Sequence, residues 1–201
     1  MFAHRISKDV CLRLLQMQHA PELFRVTDSN RAHLREWLPW LDHIKEEKDS
    51  AAFISSALRS LAVSSTFACG IWNTGELCGV IGYNMIDWES RIAFPGYWLA
   101  KSAEGKGIMT ACCQALVEHA FTEYRLNRVV ITIATENHKS QAITDRLGFK
   151  REGVLRDAEW LYDHYVDHTV NALLNKTSLR GRRRVAATSP RPSGKAETKA
   201  A

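Results

Sequence analysis

The sequence predicts an α/β chain (α+β on a stricter definition). It should hold a mixed central sheet of about seven strands in the order β-α-α-β-β-β-α-β-α-β-β. Three observations carry that prediction. Strand-like and amphipathic runs succeed one another along most of the chain. The stretch Tyr97–Ile108 leads an apolar strand through Gly105 and Gly107 into a long helix. Arg128–Ala134 is dense in β-branched residues and suits a buried central strand, so the middle of the chain reads as a parallel crossover.

The elements follow in order. Residues 10–15 alternate loosely and predict a first strand. Pro21 suits the first turn of a helix, which should continue through Asn30 to about Trp37, where Pro39 ends or kinks it. Asp49 or Ser50 can cap a second helix, from Ala51 to about Ala62, with Phe53, Ile54, Ala57, Leu58 and Leu61 on one stripe. Phe67–Trp72 and Leu77–Met85 form a hairpin around Gly75, and Ile92–Ala100 is the next strand. After the helix at 108–124 and the strand at 128–134, Asn137 caps a short helix that ends at Leu147, with Gly148 in the C′ place. Gly153–Leu161 and Tyr165–Leu174 close the sheet.

Bulk properties narrow the class. At 201 residues, 45% of them hydrophobic, the chain can bury one proper core. No apolar run approaches the roughly 18 residues of a membrane span, and no apolar segment follows the N-terminus, so neither a membrane span nor a secretory signal is expected. Five cysteines, an odd number without a Cys-x-x-Cys, read as small buried hydrophobes in a reducing, cytoplasmic setting. The net charge of +5 is unevenly placed. From Lys176 onward eight Lys/Arg face one acid, Glu197, so this segment carries +7 and residues 1–175 carry −2. Residues 1–175 therefore read as one domain and 176–201 as a basic tail, expected to be disordered.

Strand, glycine turn and helix N-terminus make an anion seat. Glycines let the backbone come close, and the first helical N–H groups lack partners of their own. A diphosphate is the natural occupant. The two common diphosphate motifs fail on spacing: a dinucleotide fingerprint needs a third glycine where Thr110 stands, and a P-loop needs Ser or Thr after its lysine, but Gly107 follows Lys106. His164 and His168, spaced i, i+4, would lie on one face of a strand about 13 Å apart, so no metal site is expected.

The span from about Phe67 to Leu174 resembles the GCN5-related N-acetyltransferases (GNAT). Ser102-Ala-Glu-Gly105-Lys-Gly107 fills the family's acyl-CoA loop, with Ser102 where Arg or Gln is usual, a departure that weakens one phosphate contact. Asn137-His-Lys-Ser140, followed by Leu147-Gly148-Phe149, matches the second family motif. Tyr97-Trp-Leu, Leu34-Arg-Glu-Trp-Leu-Pro-Trp-Leu and Arg156-Asp-Ala-Glu-Trp are similar to the RimJ/RimL branch, which acetylates protein N-termini.

The resemblance implies a GNAT fold, acetyl-CoA as co-substrate and a primary amine as acceptor. It implies that backbone N–H groups of Gly105, Lys106, Gly107, Ile108 and Met109 take the pyrophosphate. The pantetheine arm is then expected along Trp98-Leu99-Ala100, and an N–H near Leu99 or Ala100 polarises the thioester oxygen. Ser140 reads by position as an ordinary first-turn hydroxyl; the resemblance makes it the acid that protonates the thiolate. Asn137 is an N-cap that the resemblance also places on the cofactor. Glu159 reads by position as an exposed strand glutamate. The resemblance makes it the general base, beside the partly apolar wall of Ala158, Trp160 and Leu161. The general-acid tyrosine of many relatives is unmatched, since Asp145 and Arg146 stand at its place. Trp37 and Trp40 stand open between core and acceptor-cleft wall. The acceptor could be a protein N-terminus or a small aminoacyl or antibiotic-like amine, in a monomer or homodimer. A reading of another class makes the basic tail a weak RNA or ribosome contact.

Overall fold

Strands that are apolar on both faces must be covered on both, and that requirement arranges this chain. The computed structural model describes residues 3–62 and 66–176. Its strands are β1 (Ala3–Arg5), β2 (Val10–Leu14), β3 (Phe67–Asn73), β4 (Glu76–Asp87), β5 (Ile92–Leu99), β6 (Arg128–Ala134), β7 (Lys150–Leu161) and β8 (His164–Leu174). The helices are α1 (Ala20–Ser29), α2 (Arg31–Arg35), α3 (Glu47–Ala62), α4 (Ile108–Thr122) and α5 (His138–Arg146). One mixed sheet runs β1-β2-β3-β4-β5-β6-β8-β7. On one face α4 and α5 close over Ile81, Val129 and Ile131 through Cys112, Leu116 and the half-buried Ile143. On the other, α1 and α3 bring Leu23, Val26 and Ile54 onto Trp72 and Val80.

The mixed α/β class stands as read, with three differences. The sheet has eight strands where about seven were expected. The extra one, β1, is three exposed residues paired to Cys11–Arg13, too short and too polar to leave a periodic signal. The first long helix is broken at Asn30, whose Nδ2 donates to the Val26 carbonyl at 2.9 Å. α3 starts at Glu47, earlier than the expected Ala51, because the Asp49 carboxylate sits inside the first turn and reaches back to accept the N–H groups of Lys45 and Glu46. The local turn chemistry is as expected: Gly75 and Gly148 have φ of 91° and 77°. Asn137 Oδ1 accepts the Ser140 N–H at 3.1 Å, the N-cap bond.

One feature of the sheet shapes the site. β4 and β5 pair from Asp87↔Ile92 to Gly79↔Leu99, with one irregularity between Tyr83 and Met85. β5 and β6 are parallel and pair only at Ile92↔Arg128 and Ala93↔Val129. Beyond Ala93 they part, and a gap opens in the centre of the sheet toward the C-terminal end of β5.

The cysteines are free thiols, four of them buried, and burial pushes Cys69 and Cys112 up to about 12 and Cys78 to about 11. They act as small core residues. No described helix is long and apolar enough to cross a membrane. The basic tail lies outside the described residues from 177 onward.

Candidate active site

The anion seat forms where β5 hands over to α4. After Leu99 the chain makes one 3-10 turn, Lys101–Ala103, then two residues with left-handed backbone, Gly105 and Gly107, both at φ 73°. A Cβ on either would meet nothing within 4 Å, so the glycines are required by backbone angle while the space above them stays open. Gly107 is the residue that caps α4. Among the described residues nothing accepts a hydrogen bond from the backbone N–H of Gly105, Lys106, Gly107, Ile108, Met109 or Thr110. Free N–H groups around an open, glycine-lined turn at the positive end of a helix fit a diphosphate. Ile108 and Met109 are buried, so only their backbone can serve the seat, whereas Lys106 is exposed beside it.

Two contacts from distant parts of the chain hold this loop. Asn30, at the break between α1 and α2, accepts the Lys101 N–H with its Oδ1 at 2.9 Å. The Glu104 carboxylate gathers Lys139 Nζ at 2.7 Å, Lys101 Nζ at 3.2 Å and His33 Nε2 at 3.2 Å. Partial burial works against the charged form of Glu104, but hydrogen bonds from Lys139 and Lys101 outweigh it and hold the carboxyl below its usual pKa. Loop, α2 and α5 are thus tied at one side chain.

The gap between β5 and β6 adjoins the seat. The Ala100 N–H donates to the Cys78 carbonyl at 2.7 Å. The Ala100 N–H is therefore spent on the sheet, which leaves the Leu99 N–H of the two expected oxyanion donors. Successive N–H groups of a strand point to opposite sides, so the Leu99 N–H points away from β4 and into the gap. The Leu99 and Ala100 side chains are buried, and Trp98 is half-buried.

A cavity of about 620 Å³ opens from this gap, and Trp98, Tyr97, Ser140, Glu159, Trp37 and Trp40 are among its lining residues. Seven of the expected site positions (98–100, 105–107 and 137) thus lie along the β5 end, the turn or the cap of α5, and Ser140, Glu159 and the two tryptophans meet across the cavity. Trp37 and Trp40 are half-buried, so both belong to the cavity wall. Their Pro39-interrupted segment is held by arginines: Arg31 donates to the Leu41 and Ile44 carbonyls, and Arg35 pairs with Asp42. Arg35 also lies 3.6 Å from the ring centroid of Tyr162, whose hydroxyl donates to the Leu38 carbonyl. The β7–β8 turn and the tryptophan wall are therefore one unit.

Two residues were missed as site residues. Tyr97 Oη lies 2.7 Å from Ser140 Oγ, and burial pushes the Tyr97 phenol well up, so it stays protonated. Tyr97 stood in a quoted motif, but nothing in its spacing points to a residue on another element. His168, read only as half of a rejected metal pair, lines the cavity with its Nε2 at 3.4 Å from Glu159 Oε2. His164 is exposed and pairs with Asp163 instead. Among the described residues no group of three or more metal-type ligands comes together.

Comparison with known proteins places this geometry among acetyltransferases. Residues 9–150 match the family model described as an acetyltransferase (GNAT) domain. The chain is 34% identical over 177 residues to YdaF of Bacillus subtilis (strain 168), covering 88% of this chain and 97% of that protein. It is 31% identical over 165 residues to the ribosomal-protein-serine acetyltransferase of Escherichia coli (strain K12), covering 81% and 91%. Among solved structures it is similar to RimL, a ribosomal L7/L12 α-N-protein acetyltransferase in complex with coenzyme A. That match has a TM-score of 0.84 at 27% identity, over 86% of this chain and 98% of that one.

The backbone at Gly107 yields a first prediction. Gly107→Ala should lower stability by about 1–2 kcal/mol, the cost of a left-handed residue bearing a Cβ, although the methyl itself has room. Urea unfolding followed by circular dichroism measures it. An unchanged midpoint would mean the turn relaxes freely and the seat is not held in shape.

Proposed function

Since this chain belongs to the GNAT acetyltransferase family, we propose that it transfers acetyl from acetyl-CoA to a primary amine, the α-amino group of a protein N-terminus before others. The observation that carries this reading is the meeting, in one cavity beside the anion seat, of a hydroxyl pair (Ser140 and Tyr97) and a carboxylate (Glu159). Its family supports the cofactor, and its likeness to the ribosomal-protein acetyltransferases supports the acceptor.

When bound, acetyl-CoA supplies the acetyl group as an activated thioester. Backbone N–H groups from Gly105 to Met109 would hold its diphosphate, with Lys106 adding charge from the exposed side. Trp98 and Leu99 would offer their strand edge to the pantetheine arm, and the Leu99 N–H a hydrogen bond to the acyl oxygen. Asn137, already spent on the Ser140 N–H, keeps the hydroxyl of Ser140 at the mouth of the gap. Glu159 would remove a proton from the acceptor amine. Ser140 would give one to the leaving sulfur, and Tyr97, a protonated phenol 2.7 Å away, would hold the Ser140 oxygen in place by a hydrogen bond. Trp37 and Trp40 would flank the acceptor.

A second acceptor class, small aminoacyl amines, is favoured by one observation: Trp37, Trp40, Trp98 and Phe53 all line the cavity, more aromatic surface than a serine or alanine side chain calls for. Basic residues from 176 onward are proposed as an electrostatic contact to ribosomal RNA, separate from the chemistry.

Two experiments follow. Coenzyme A release, read by a thiol reagent, should be fastest with peptides bearing a free N-terminal serine or alanine. Faster release with small aminoacyl amines selects the second class. In the same assay Glu159→Gln should lower turnover at least ~10²-fold, the usual scale for a lost general base, while acetyl-CoA still binds. Turnover near wild type would remove Glu159 from the mechanism. Deleting residues 176–201 should leave peptide acetylation unchanged and abolish salt-dependent RNA binding. Retained RNA binding would place that contact on the folded domain.

A further inference from the structure

The base of this site is read above as Glu159 alone, yet that carboxylate points at another side chain. Glu159 lies on β7 and His168 on β8. The β7–β8 register runs Leu155↔His168 and Glu159↔Val166, so β7 spends two more residues than β8 between these pairs. Two extra residues preserve the strand's side-chain alternation, and Glu159 stays on the same face as Val166 and His168. The Asp157 N–H donates to Asp167 Oδ1 at 2.9 Å and pins the bulge from behind. Glu159 thereby sits diagonal to His168, with Oε2 at 3.4 Å from Nε2.

Burial separates the two. The His168 side chain keeps 15% of its accessibility and Glu159 keeps 32%, so the imidazole is the deeper group. Among the described residues Glu159 has no other polar partner, and His168 Nδ1 has no hydrogen bond. Among the described residues no buried side-chain nitrogen or oxygen lacks a partner, so Nδ1, which has none, is accessible, and His168 lines the cavity. A carboxylate facing Nε2 favours the tautomer with its proton there, which leaves the Nδ1 lone pair toward the cavity. The 3.4 Å separation is long for a hydrogen bond, as such pairs often are before substrate binds.

We propose that His168 is a catalytic residue of this site, taking the acceptor amine's proton on Nδ1 while Glu159 orients the imidazole through Nε2. The inference rests on the amine-acetylation reading and deepens it by moving the proton-accepting atom from the Glu159 carboxylate to the imidazole in front of it. The amine nitrogen bonds to the acyl carbon as the carbon–sulfur bond breaks. The proton shed by nitrogen goes to His168 Nδ1, the sulfur's electron pair takes the Ser140 hydroxyl proton, and the Ser140 oxygen regains a proton from solvent as His168 releases its own. Glu159 then faces an imidazolium and stabilises its charge. An imidazole is a stronger base than a carboxylate and so is better matched to an ammonium proton.

The test uses the full chain with acetyl-CoA and a peptide bearing a free N-terminal serine, alongside a panel of small primary amines. His168→Ala should lower turnover at least ~10²-fold, the scale of a lost proton acceptor, with coenzyme A affinity unchanged by calorimetry. Added imidazole should restore at least about tenfold of that loss in His168→Ala and nothing in His168→Asn, whose amide fills the site. Because the two residues act as one unit, the double variant with Glu159→Gln should fall no more than about threefold below His168→Ala. Turnover of His168→Ala within about threefold of wild type, or a loss that imidazole does not relieve in either variant, would overturn the assignment. A wild-type chain that acetylates no amine in the panel is a distinct result, which overturns the acetyl-transfer reading and this inference with it.

Discussion

Two parallel strands that pair at Ile92 and Ala93 and then part leave a sheet with an opening at its centre. An opening there exposes backbone groups at the centre of a sheet whose strands β3 and β4 are largely buried. β4 holds β5 on its far side down to Leu99, and β8 holds β6 along its whole length. The two halves of the sheet are each fully supported, so the gap between them can stay open without collapsing. Cavity, anion seat and the proposed acid–base groups are all arranged around that divergence. β5 delivers Tyr97, Trp98 and the Leu99 N–H, and its continuation turns into the seat. β6 leads through Ala134 to the cap of α5 and so to Ser140.

The seat depends on long-range anchoring as much as on its glycines. Asn30 and Glu104 tie the turn to helices on both sides of the gap. A loop with two left-handed glycines and no side-chain packing above them would otherwise sample many shapes. The proposed acceptor side is built by the same means. Arg31, Arg35 and Tyr162 hold a segment that Pro39 prevents from being helical, and the wall of Trp37 and Trp40 stays in place because of them.

What could be read from the sequence was what local chemistry decides. The hairpin at Gly75, the cap at Asn137, the stop at Gly148 and the seat at Gly105–Gly107 each need only a few neighbouring residues, and each is legible. The mixed α/β class followed from where apolar runs fall. Contacts between distant residues were not legible. Asn30 to Lys101 spans 71 residues and Tyr97 to Ser140 spans 43. His168 and Glu159 come together through an irregular register between Leu155 and Glu159 that no period reveals. Ala100 shows the same limit in reverse: its place in a motif suggested a free donor, and only the β4 register shows that Cys78 has taken it.

The gap between β5 and β6 and the turn before α4 are proposed to form one binding slot. A crystal structure of the full chain with acetyl-CoA tests it most directly. The diphosphate is expected on the N–H groups between Gly105 and Thr110, the pantetheine arm along Trp98 and Leu99, and the acyl oxygen within hydrogen-bond distance of the Leu99 N–H. A diphosphate bound away from that turn, or β5 and β6 zipped together beyond Ala93 with the ligand outside the sheet, would contradict it.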